Sequence, residues 1–119
     1  MPGPTGRSAK PSCPFCGAPV PRPQFFSLQG GEYHKAACSC KAFIGYDAVG
    51  THLGAALWET LVAACGGDEE RALSLEEKDY EVRYMDGYHP EHHRIKPGSS
   101  RPGSGAAAFV FIRLSGDLP

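Results

Sequence analysis

No stretch of the 119-residue chain approaches the ~20 consecutive apolar residues that a membrane-spanning helix needs. Met1 to Lys10 has no apolar segment of the kind a secretory leader requires, so the expected setting is the cytoplasm. A G-x4-G-K-S/T phosphate loop and a G-x-S-x-G nucleophile elbow are both missing, and with them the sequence signatures of two large enzyme classes. No Ser/His/Asp or Cys/His set stands out. The acid pairs Glu69-Glu70 and Glu76-Glu77 fall on a segment that reads as solvated. Apolar residues are somewhat scarce at 41%, while 15 Gly and 11 Pro make turns abundant. The expectation is one modest core with many loops, and a non-enzymatic role.

A large excess of one charge sign is also lacking, since the net charge is −1. The distribution is nevertheless uneven. Residues 1–41 carry five Lys/Arg against one acid, residues 42–86 three against ten, and residues 87–119 four against two. A protein that coats DNA is usually more basic overall. Local basic faces at the two ends remain available for phosphates, and the acidic middle for a protein partner.

The chain divides by pattern. Residues 1–10 read as a disordered tail rich in Pro, Gly and Ser. Strand-forming residues at 24–29 and 32–37 flank Gly30-Gly31, a hairpin signal, and residues 41–46 read as a third strand. A helix is expected over 47–65, with Asp47 as N-cap, Leu53, Leu57, Leu61 and Ala64 on its apolar stripe and Gly66-Gly67 as its stop. Trp58 and Cys65 read as core residues. Residues 68–75 add one or two helical turns. Strands at 79–85 and 108–114 follow, joined by a long mobile connection over about 86–107.

Four thiols supply the strongest chemical signal. Cys13 and Cys16 form C-x2-C, and after 21 residues Cys38 and Cys40 form C-x-C. Two turns that each carry a thiol pair can surround one zinc ion if a hairpin brings them together. Cys13-Pro-Phe-Cys16-Gly17 with the second pair resembles a zinc ribbon over about residues 11–46. The resemblance implies a closed four-thiolate zinc site that contributes folding energy and does no chemistry. The second knuckle is one residue shorter than usual, which leaves His34 as an alternative fourth ligand. Cys13-Pro-Phe-Cys16 is also similar to the glutaredoxin motif, implying thiol redox at Cys13/Cys16. That family opens a helix with the motif, and here Pro19, Pro21 and Pro23 oppose one.

His89, His92 and His93, followed by Arg94, Lys96 and Arg101, form a second group. Three readings apply: a second metal site, an anion or nucleic-acid contact, or a solvated loop. The sequence thus predicts an α+β protein, with a zinc ribbon at 11–46 and a main helix plus strand pair in 47–119. The function it points to is a zinc module docking on nucleic acid or a nucleic-acid-handling assembly, with no small-molecule cofactor. The alternatives are a protein-only adaptor that uses the acidic middle and a thiol-redox protein.

Overall fold

The computed structural model describes residues 9–26, 33–49, 52–95 and 107–115. After a short 3-10 turn at Pro23–Phe25 come strands β1 (His34–Ala37) and β2 (Phe43–Asp47) and helices α1 (Leu53–Ala64) and α2 (Glu69–Ser74). Strands β3 (Tyr80–His89), β4 (Arg94–Ile95) and β5 (Ala107–Leu114) complete the order. The strands form one antiparallel-paired sheet in the order β1-β2-β5-β3-β4. Because β2 and β3 both pair antiparallel with β5, they run parallel to each other. The connection between them carries α1 and α2, so the core is a split β-α-β unit with β5 inserted in its middle.

This position explains why Ala108-Phe-Val-Phe-Ile is apolar on both faces. β5 is paired on both edges and covered on both sides, and residues 107 to 112 are all buried. On one face Val110 and Ile112 meet Ala56, Leu61, Cys65 and Ala72, with Trp58, Val82 and Leu114 at the margin. On the other, Phe109 and Phe111 join Ile44, Tyr46 and Tyr88 under Cys13, Val20 and Phe26 of the N-terminal segment. Both registers fix the assignment, since Ile44 lies opposite Phe111 and Tyr46 opposite Phe109. Gly45, between them, faces α1: a Cβ there would overlap Thr60 Oγ1 and crowd Val110. Glycine at this position lets the helix lie close on the sheet.

Several expectations change. The helix begins at Leu53, not at residue 47, because Asp47 is the last residue of β2. Its buried carboxylate still serves the helix start, accepting from the backbone N–H of His52 (2.7 Å) and of Val49 (3.1 Å). The buried residues of α1 are Ala56, Thr60 and Leu61, so the inward stripe is rotated and Leu57 and Trp58 are only half-buried. Asp68 caps α2 by accepting from the Arg71 N–H. Among the described residues there are two helices and five strands where one main helix with separate ribbon and hairpin is expected, and the sheet runs through the expected boundary at residue 46.

The expected mobile connection shortens at both ends. β3 continues to His89 with a register shift between Met85 and Tyr88, and β4 begins at Arg94. Residues 96–106, the Gly30-Gly31 hairpin and the tail before Ala9 lie outside the described residues. At 24–26, where a strand is expected, Pro23 starts a 3-10 turn instead, as fixed φ and a missing N–H favour. Among the described residues no helix is long and apolar enough to cross a membrane.

Candidate metal centre

Two short turns carry the thiols. In the first, Cys13 N–H donates to the Ala18 carbonyl (2.8 Å) and Gly17 N–H to the Cys13 carbonyl (2.7 Å), with Gly17 at φ 80. In the second, which links β1 to β2, Cys38 N–H donates to the Ala42 carbonyl (2.7 Å) and Lys41 N–H to the Cys38 carbonyl (2.9 Å). Lys41 has φ 78, the left-handed conformation that Gly17 supplies in the first turn. The two turns thus have related geometry despite one residue's difference in thiol spacing.

The turns face each other. The four sulfurs of Cys13, Cys16, Cys38 and Cys40 all lie within 4.8 Å of one another. Across the turns, Cys13 Sγ is 3.7 Å from Cys40 Sγ and Cys16 Sγ is 3.5 Å from Cys38 Sγ. Sulfurs at about 2.3 Å from a tetrahedral zinc are about 3.8 Å apart. The spacing fits such an ion and is much longer than the ~2.05 Å of a disulfide. Among the described residues this is the one group of three or more His, Cys, Asp or Glu gathered closely enough to hold a metal.

The backbone favours thiolates at this position. N–H groups of Phe15 and Cys16 reach the Cys13 sulfur, that of Ala18 the Cys16 sulfur, and that of Cys40 the Cys38 sulfur. As free thiols, Cys13, Cys16 and Cys38 differ. Burial pushes Cys13 up to about 12. At Cys16 the Ala18 N–H lowers the value, but the Cys38 thiol and burial together raise it. Burial raises Cys38 too, yet the Cys40 N–H and the neighbouring thiols outweigh it and bring it down to about 7. A divalent cation would remove this mutual repulsion by taking all four as thiolates.

The first knuckle is fastened to the sheet. Cys13 is 2% exposed and belongs to the Phe109 cluster. Phe15 lies under Arg113, whose guanidinium carbon is 4.6 Å from the ring centre, and near Arg83 at 5.4 Å. Arg113 in turn pairs with Glu81 across the β3–β5 ladder at 3.0 Å. Arg83 pairs with the same carboxylate at 3.6 Å, so Glu81 holds both guanidinium groups beside the knuckle's Phe15.

The histidine group separates. His93 bridges the Val20 carbonyl and the Tyr88 hydroxyl, each at 2.7 Å, from a turn in which it has φ 54. Its Nε2–H donates to the carbonyl, which leaves Nδ1 to accept from the tyrosine in the neutral ring. His92 is exposed, and His89 Nε2 is buried with no hydrogen-bond partner among the described residues. Arg94 is half-buried in β4, while Lys96 and Arg101 lie outside the described residues. His34 sits on β1 with its ring centre 6.4 Å from that of Tyr46 and does not join the sulfur group. Sequence reasoning did not foresee Arg22, which donates to the Pro90 carbonyl at 3.1 Å and so joins the histidine turn. Nothing in its local pattern marks it, because the contact spans 68 positions. Compared with models of known families, with curated proteins and with solved structures, the chain matches none.

Proposed function

We propose that the protein is a non-enzymatic zinc module whose metal, held by Cys13, Cys16, Cys38 and Cys40, locks the N-terminal segment onto the sheet. The observation that carries this reading is the convergence of four sulfurs from two turns at tetrahedral spacing. All-thiolate coordination leaves no open position for water or substrate, so the ion is structural. Zinc is favoured over an iron–sulfur cluster because the C-x2-C and C-x-C spacings differ from the usual cluster patterns. A thiol-redox role is disfavoured by the state of Cys13. The leading cysteine of such a motif is exposed with a lowered pKa, whereas this one is buried and pushed up.

The module docks, in this reading, on nucleic acid or a nucleic-acid-handling assembly in the cytoplasm. Support comes from Arg22, drawn to the histidine turn that leads into Arg94. The knuckle itself is a poorer phosphate face, since Glu81 pairs with both Arg83 and Arg113. Native mass spectrometry of the purified chain tests the metal: one zinc per chain is expected. A metal-free chain equally well folded in strong chelator overturns the assignment. For the partner, affinity for a single-stranded oligonucleotide should fall steeply with salt, and a flat dependence favours the protein-only adaptor.

A further inference from the structure

On the sheet face that bears the knuckle, but away from the cysteines, the structure leaves a cleft of about 360 Å³. Its floor is Tyr46 and Tyr88, its walls are Pro23 and Pro90, and His34 and Arg22 stand at its sides. A smaller cavity of about 250 Å³ also has His34 and Tyr46 in its lining. The larger cleft by itself is within the ~300–1,000 Å³ usual for small-molecule sites, and the smaller one is lined also by Asp47.

The polar groups here are unusual for a surface dent. Tyr46 is 7% exposed, and among the described residues its hydroxyl has no hydrogen-bond partner. Burial and the nearby Tyr88 and Asp47 push that hydroxyl up to about 12, so it stays protonated and can donate. By contrast, the Tyr88 hydroxyl is already occupied by His93. The His34 imidazole makes a ring contact with Tyr46 and no hydrogen bond among the described residues. Arg22 gives one N–H to the Pro90 carbonyl and faces no carboxylate among the described residues. Arg22, His34 and Tyr46 therefore border one cavity with donor capacity to spare, together with Gln24 and beside proline and tyrosine rings that offer flat apolar walls.

We propose that this cleft binds a small organic anion, with Arg22, Tyr46 and His34 holding a phosphate monoester or carboxylate and the proline and tyrosine rings accommodating a flat ring attached to it. A free aromatic acid, a free nucleotide and a nucleotide within a strand all present that chemistry. No cysteine lines the cleft, so the proposal stands apart from the metal assignment.

The test is a titration of the full zinc-loaded chain with phenyl phosphate, benzoate, adenosine monophosphate and a short oligothymidylate, followed by heteronuclear NMR. Saturable binding of at least one probe is expected, with shifts at His34 and Tyr46, and with affinity lowered at least about fivefold by Tyr46→Phe and by Arg22→Gln. Tyr46→Phe keeps the ring and its packing, so the fold survives it. Tightest binding by the monophosphate identifies a free nucleotide, by the oligothymidylate a strand, and by benzoate or phenyl phosphate a simple aromatic acid. Absence of saturable binding by all four at concentrations on the order of 10 mM, or binding indifferent to both substitutions, overturns the proposal.

Discussion

Single atoms decide two of the contacts described above. Gly45 is irreplaceable because Thr60 occupies the space its Cβ would need, and Thr60 is itself tied to the Ala56 carbonyl at 2.7 Å. Gly45→Ala should therefore destabilise by about 1–3 kcal/mol in urea unfolding, and recover in part when combined with Thr60→Ala. An unchanged midpoint would mean that α1 does not lie where it is described. Tyr46 gives a pH prediction. Its ordinary value near 10 rises to about 12 in the folded chain, so the folded state holds the proton more tightly. The stabilisation is complete below the unfolded value and is lost as pH climbs between about 10 and 12. Thermal midpoints should fall across that window, and less so in Tyr46→Phe. The comparison isolates Tyr46 from Cys13, whose thiol is also pushed up to about 12. Residues of this kind were poorly legible beforehand: Tyr46 read only as a strand residue, because its missing partner exists only once β2 is in the sheet.

Elements were more legible, and their errors share a cause. Alternation marked β3, a continuous apolar run marked β5 and the apolar period marked α1, because all three signals are local. The helix stripe was rotated by about one position, since periodicity alone cannot choose among Ala56, Leu57, Thr60 and Leu61. Leu61→Ala should cost roughly 2–5 kcal/mol, while half-buried Leu57→Ala should cost clearly less. Equal losses would return the stripe to its expected orientation. Between β1 and α1, Lys35 pairs with Glu59 at 3.1 Å, with side-chain exposures of 8% and 21%. The Glu59 carboxylate also accepts from Tyr33 N–H at 3.1 Å. Removing it strands a buried ammonium, so Glu59→Ala should cost about 2 kcal/mol or more, and less in a Lys35→Met background. Additive losses in the double variant would show that the pair is not coupled.

At the scale of the whole molecule, the thiol quartet and the sheet are one object. β2 carries the second knuckle at one end and pairs with β5 along its length, while Cys13 and Val20 seal the Phe109 cluster. Cys16→Ser should weaken zinc binding and, by hydrogen exchange, release residues 9–26 first. The loss should then extend to β1 and β2 and lower the stability of the full sheet. Protection unchanged across 9–26 after the substitution or after chelation would show that the thiols do not anchor the segment. The sequence by itself determined the α+β class, the thiol quartet, the main helix and the two long strands, because spacing and periodicity are properties of neighbours along the chain. Only the tertiary structure decided that β5 enters between β2 and β3, that Arg22 and His93 tie distant segments to one turn, and that a buried tyrosine hydroxyl opens onto a cleft. Those are contacts between residues tens of positions apart, fixed by which faces the sheet must cover and invisible to any local pattern.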